Sequence, residues 1–472
     1  MAWCTATSRK KANLHDVKPF QQVNIGRFCF LCLILWGSVL HFGLIAITYY
    51  NRSFLLDDSV LYLTSAHNLL TYHVFSSSFS LPLYPELQRL PGYAVFLALL
   101  GGKPLIILIA QHILCALSAL LIFQLVQKLL ESRGKQKQWG KFAGALWWAA
   151  PYPALMATLV LTETLLAFLM LTTLFLLVKS DSTKPSRRIA LYFSTCLFLC
   201  LAWLVKSKAL LLLPLIWAVW LLIHRQSISK NILWIACSLV FAFAIPQFIN
   251  TTLFSVPEYN SQSNLSAQTA IYGQWGGVLQ IENKTLPCSD AVLFAQTDYF
   301  WNKAYGSSPE ANFTFGREQQ EYALWKKSDQ QIALQSMILK HPISTLKLAG
   351  WSLYRQFASV GYGTAWYLTD SPFISKILAG VQMIFNLCFG VCMICWPVIA
   401  FRFLRKKSLI RSIFTTKEAK AYIFTTIIWC CVILYLLAHT VVWADGRYRF
   451  PVDAMLLIVT VACLASMKSI VK

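Results

Sequence analysis

The chain has 472 residues, 57% of them hydrophobic and only 13% charged, with a mean hydropathy of +0.56. That balance excludes a water-soluble globule and fits a polytopic membrane protein. The formal charge of +22 raises nucleic acid as a partner, but the placement of the basic residues along the chain argues against it.

Residues 1–27 are polar and basic and read as a cytoplasmic tail. The apolar run 28–49 is long enough to span a bilayer and shows no small-residue cleavage site, so it reads as a retained signal anchor. An outer loop, 50–103, follows. It opens on Asp57-Asp58, with Asp58, Tyr62 and Ala66 spaced i, i+4, i+8 on one helical face. Acids in a first helical turn suit the macrodipole, so the pair reads as a solvated helix start. At a membrane surface it reads equally as a general base or a divalent-metal ligand. The loop closes on Arg89-Leu90-Pro91-Gly92-Tyr93. Pro91 drives Leu90 to extended backbone, and Gly92 lets another backbone come close. Arg89 then meets the headgroup plane, as an interfacial anchor or a clamp on a lipid phosphate. The apolar stretch 91–100 is too short to cross.

Six further spans are expected at 104–130, 142–158, 161–178, 189–205, 209–223 and 232–250, completing a module over 28–250. Glu163, in the outer turn before the fourth span, is a turn residue reaching water or an intramembrane-edge site. Lys206 and Lys208 occupy the next outer turn, where the topology rule disfavours lysine; they read as snorkelling anchors or as ligands for an anionic lipid phosphate. Residues 251–375 are expected outside the membrane. Within them 251–340 is a polar, near-neutral insertion read as a small cap, whose Tyr272, Trp275, Trp301, Tyr305 and Trp325 stack on sugars or simply pack. Residues 341–369 read as an interfacial or re-entrant helix. The C-terminal module, 376–472, carries spans at 376–401, 421–443 and 450–467. Arg447, Tyr448 and Arg449 open the last of these, where they form a helix-start turn or a grip on a phosphate or pyrophosphate.

Ten spans place both termini in the cytoplasm. The cytoplasmic segments then carry 25 Lys/Arg against 4 Asp/Glu, and the rest of the chain 16 against 15. This is the positive-inside pattern, so the basic residues report topology and nucleic acid is not an expected partner. Of the 14 cysteines only Cys288 falls in the large outer loop, so that loop has no internal disulfide. Cys388, Cys392 and Cys395 lie mid-span among apolar residues and read as packing. The sequons at Asn51, Asn250, Asn264, Asn283 and Asn312 all border or occupy outer segments. They fit an endoplasmic-reticulum membrane if the source is eukaryotic. A cap without disulfides tilts the reading to a bacterial inner membrane with a periplasmic site.

Taken in order, Asp57-Asp58…Tyr62…Ala66-His67-Asn68-Leu69, Arg89-Leu90-Pro91-Gly92-Tyr93, Leu161-Thr162-Glu163-Thr164 and Gly446-Arg447-Tyr448-Arg449-Phe450-Pro451 resemble the polytopic C-type (GT-C) glycosyltransferases. The nearest branch includes the aminoarabinose transferase of lipid A, the lipopolysaccharide-core galacturonosyl transferases and the protein O-mannosyltransferases. The resemblance covers about 28–250 and the last two spans; 251–340 resembles nothing in the family. It implies an all-α membrane helix bundle of about 10–12 transmembrane helices with interfacial helices and a small outer cap. It also implies an inverting transfer of sugar from a polyprenyl-phosphate donor to a lipid, glycan or protein acceptor. Asp58 or Asp57 would be the base, and Glu163 would hold the acceptor or a metal. Lys206, Lys208, Arg447, Tyr448, Arg449 and Arg89 would meet the donor phosphate. A divalent cation (Mg²⁺, Mn²⁺ or Ca²⁺) on Asp57, Asp58 and Glu163 would be the cofactor. Two departures stand out: the family pair is often Asp-Glu, and its members usually have eleven or more spans. A transporter and a non-catalytic lipid-binding member of the same fold are the competing classes.

Overall fold

The computed structural model describes residues 20–51, 57–83, 86, 89–131, 136–180, 185–223, 228–253, 338–358, 372–406, 417–440 and 446–470. Among them there is helix, turn and coil but no strand. The first half runs α1 (Phe20–Asn51), α2 (Asp57–Tyr72), α3 (Pro91–Leu99), α4 (Pro104–Leu129), α5 (Gln136–Ala149), α6 (Pro151–Thr158), α7 (Thr162–Ser180) and α8 (Pro185–Val205). A 3₁₀ turn, Ser207–Leu212, leads into α9 (Leu213–Ile223); α10 (Ile228–Leu239) and α11 (Ile245–Phe248) follow. The second half holds α12 (Pro342–Ala358), α13 (Pro372–Lys406), α14 (Lys417–Thr440) and α15 (Gly446–Ile470). The expected cap lies almost wholly outside the described residues, as does 359–369 of the expected interfacial segment.

Seven helices among the described residues are long and apolar enough to cross a membrane: Arg27–Asn51, Pro104–Leu129, Thr162–Ser180, Arg187–Val205, Gly380–Arg402, Ala419–Ala438 and Arg449–Ser466. Helix is thus the only regular secondary structure among the described residues, and the seven apolar helices fit a multi-pass membrane protein. The other three expected spans take different forms, and proline explains each. The run 142–158 is broken at Ala150, which is extended (φ −71°, ψ 132°) ahead of Pro151. In 209–223 the first turn is 3₁₀, and Leu213 N–H bonds back to Leu210 O just before Pro214, which has no N–H to offer. In 232–250 the helix widens to a π turn at Val240–Ala244 ahead of Pro246, so Ile245 N–H reaches Val240 O.

Burial sorts the helices. The apolar stretch of α15 is 89% buried and that of α7 78%, so these two form the centre; α1, at 11%, lies at the edge. α1 is nonetheless docked specifically. Trp36 Nε1 donates to Ala149 O at 3.2 Å, and the His41 ring stacks on Trp148 at 3.8 Å while its Nδ1 meets His112 Nδ1 of α4. A second buried polar group ties α15 to its neighbours. Arg449, 1% exposed, donates through Nε to Asp453 Oδ1 (2.6 Å), through Nη1 to Gln356 O of α12 (2.7 Å) and through Nη2 to Asn386 Oδ1 of α13 (2.6 Å). α12 carries exposed Ile343, Leu346 and Tyr354 around one side while Ser352 and Gln356 are buried. At 17 residues it is short for a span, in line with an interfacial helix.

Candidate functional site

Three elements converge: the start of α2 with the loop into α3, the turn into α7, and the turn after α8. Each is positioned by local sequence. Pro91 sits at the first position of α3, and Leu90 before it is extended (φ −82°, ψ 149°), which turns the chain at Arg89. α3 has nine residues, about 14 Å of helix, so it does not cross. Gly92 seats it. A Cβ there would lie 2.6 Å from the carbonyl carbon and oxygen of Leu204 and 2.8 Å from Val205 N. The last turn of α8 therefore rests directly on the α3 backbone, one residue before Lys206. Gln111 of α4 fixes the remaining edge. Its Oε1 accepts from Tyr93 Oη (2.7 Å), and its Nε2 donates to Ala157 O (3.0 Å) and Leu159 O (2.7 Å) in the turn leading to Glu163.

On this frame sit three carboxylates and three cations. Arg89 Nη2 donates to Asp58 Oδ1 at 3.1 Å, with Glu86 Oε1 3.9 Å from Nη1. The guanidinium also lies 5.4 Å from the centre of the Tyr62 ring, which meets Tyr93 edge-on at 5.0 Å. Asp58, Tyr62 and Ala66 do share a face of α2: Asp58 is at its mouth and Ala66 is fully buried. Lys206 Nζ donates to Glu163 Oε1 at 3.2 Å, and Thr162 Oγ1 to Glu163 Oε2 at 3.1 Å. Glu163 stands in the first turn of α7, where the helix dipole favours a negative charge.

The two halves form one electrostatic unit. Burial raises Tyr93 well above the usual phenol range, and Tyr62 and then Glu163 push it the same way, so Tyr93 bridges them. Burial opposes the charge on Arg89, yet Glu86, Tyr62 and Asp58 outweigh it and raise its pKa. Burial and then Lys206 bring Lys208 down to about 7, against the pull of Glu163. Exposure separates the carboxylates: the Asp58 side chain is 38% exposed, Glu86 0% and Glu163 2%. Of these three, Asp58 is the most exposed.

The structure thus brings together Asp58, Arg89, Glu163, Lys206 and Lys208 of the expected residues. Asp57 opens α2, and Arg447 and Tyr448 lie in the first turn of α15, but their side chains lie outside the described set. Arg449 is placed elsewhere. It is buried in the Asp453 pair with its donors spent on protein, so the expected phosphate contact does not match its surroundings. The donor set for a cation is also short. Among the described residues no three His, Cys, Asp or Glu side chains gather on one point; Asp58 and Glu163 each engage a basic side chain, and the side chain of Asp57, the third expected ligand, lies outside the described set. Sequence reasoning overlooked Glu86, Gln111 and Asp453. Only Asp453 had a local signal, its four-residue spacing from Arg449. No family model, curated protein or solved structure matches this chain.

Proposed function

We propose that this chain is a membrane glycosyltransferase that moves a sugar from a polyprenyl-phosphate donor to an acceptor hydroxyl at the outer face of the membrane, with inversion at the anomeric carbon. One observation supports it above the rest: among the described residues, the half-buried carboxylate Asp58 pairs with Arg89 close to the Lys206–Glu163 pair, at the ends of apolar helices. General-base transfer from a lipid phosphate needs such a pairing of carboxylate and cations. The site belongs to a bacterial inner membrane in this reading, with periplasmic chemistry and cytoplasmic termini.

The acceptor O–H gives its proton to Asp58. Its oxygen forms a bond to the anomeric carbon as the bond from that carbon to the phosphate oxygen breaks. The polyprenyl phosphate leaves with the electron pair, and Lys206 and Lys208 stabilise the charge growing on it. Glu163 holds Lys206 in place, and Arg89 orients Asp58. No step runs through a metal ion. Arg449 is a positioning residue for α12, α13 and α15 and does not touch the donor.

The test is transfer of radiolabelled sugar from a panel of polyprenyl-phosphate donors by the full chain in liposomes, with and without chelator, and with product stereochemistry read by NMR. Transfer with inversion is expected. A chain that binds polyprenyl phosphate but transfers nothing from any donor would move the protein to the lipid-binding or transport class.

A further inference from the structure

A groove of about 600 Å³ lies on the side of α2 turned away from the charged cluster and shares no lining residue with it. Its back wall is the stripe Val60, Leu63, Thr64 and His67, which has helical spacing and is offset from the Asp58–Tyr62–Ala66 stripe. Its front wall is the strap Ser78–Leu83, and its end is Gly101 and Gly102. The size falls in the range of roughly 300–1,000 Å³ typical of small-molecule sites.

The groove is a built feature. Asn68, 4% exposed, donates from Nδ2 to both Ser76 O and Ser78 O at 2.9 Å, and Ser78 N–H bonds Ser76 Oγ at 3.1 Å. These bonds tie the start of the strap to α2. Glu86 N–H to Phe75 O (2.9 Å) closes the loop behind it, on the residue that also faces Arg89. Gly101 and Gly102 turn the chain with φ of +69° and +64°, a conformation that side chains rarely adopt.

The lining selects the occupant. Among the described residues it contains no Asp, Glu, Lys or Arg, so these offer nothing to balance a phosphate or sulfate. Thr64, His67, Tyr72 and Ser80 supply hydroxyl and imidazole groups, while Leu63, Phe79 and Leu81 supply apolar surface. Phe79, Leu81 and nearby Leu99 are exposed, as in a rim that rests in lipid. Hydroxyl-rich polarity, an aromatic wall and a lipid-facing rim fit one class of molecule. We propose that this groove seats the uncharged sugar headgroup of a membrane-anchored glycolipid. The assignment does not rest on the transferase reading.

The probe is hexyl β-D-glucopyranoside, with hexyl phosphate as the charged comparison, titrated against the full chain in lipid nanodiscs and followed by saturation-transfer NMR. The glucoside is expected to bind and hexyl phosphate to bind at least about tenfold more weakly. Thr64→Trp, which fills the groove, and the milder His67→Ala should each weaken glucoside binding, the former at least about tenfold. Equal binding of the two probes, or glucoside binding indifferent to both variants, overturns the proposal. A chain that binds the glucoside in the groove yet transfers no sugar overturns the transferase reading alone.

Discussion

Replacing Gly92 by alanine places a methyl carbon 2.6 Å from the carbonyl carbon and oxygen of Leu204 and 2.8 Å from Val205 N. All three are backbone atoms, so no side chain can swing aside. Ordinary carbon contacts lie at about 3.5–4.0 Å, so α3 must retreat from α8 by about 1 Å. Overpacking of this kind costs about 1–3 kcal/mol. The functional loss should exceed the stability loss. Arg89 enters α3 and Lys206 leaves α8, so the retreat pulls the Asp58–Arg89 half of the site away from the Glu163–Lys206 half. A misplacement of about 1 Å costs about 100-fold in rate. Gly43→Ala in α1 is the control, because nothing lies within 4 Å of its added methyl. The assay is sugar transfer at saturating donor alongside thermal unfolding of the same preparations. Gly92→Ala with wild-type stability and turnover, alongside an equally neutral Gly43→Ala, would refute the packing argument and with it the link between the two halves.

Glu163→Gln keeps size but strips the partner from Lys206. Breaking a buried pair costs about 3–5 kcal/mol, and because the Lys206 side chain is 21% exposed we expect about 2 kcal/mol, recovered in part by the double variant with Lys206→Met, as read by a double-mutant cycle of reversible unfolding. Arg449→Ala leaves the Asp453 carboxylate buried without its guanidinium and should cost about 3–5 kcal/mol in the same unfolding assay; a rise in donor KM at unchanged stability would return Arg449 to the phosphate. With Lys208 brought down to about 7, its cationic form prevails below that pH, so donor KM should rise as pH climbs from about 6 to about 8, and Lys208→Arg, always charged, should flatten the profile.

Much of the scaffold was legible in the sequence because spans depend on local composition. The seven long helices fall within or around expected apolar runs. The departures from a regular helix lie where proline acts on a run that is apolar throughout: Pro151 splits one expected span, and Pro214 and Pro246 reshape two others. At the site, the residues with local signals were found. Leu90 is extended before Pro91, and Gly92 meets a backbone, both for the reasons the motif provided. Glu86 and Gln111 were missed because their importance is purely tertiary. Glu86 looks like any loop acid until Arg89 folds over it, and Gln111 looks like a polar lapse in a span until it ties Tyr93 to Leu159 O. The same holds for His41 and His112, 71 residues apart. Arg449 is the reverse case. It read as part of a helix-start turn or as a grip on a phosphate, while its partner Asp453 was hidden in the apolar run that follows.

The central claim is that Asp58 takes a proton from the acceptor. Single-turnover transfer with Asp58→Asn and Asp57→Asn, each saturated with donor and acceptor, tests it most directly. Asp58→Asn is predicted to lose about 10²- to 10⁴-fold in rate with donor binding retained, and Asp57→Asn to lose far less. Wild-type turnover in Asp58→Asn would contradict the account and reduce the Asp58–Arg89 pair to a structural bridge.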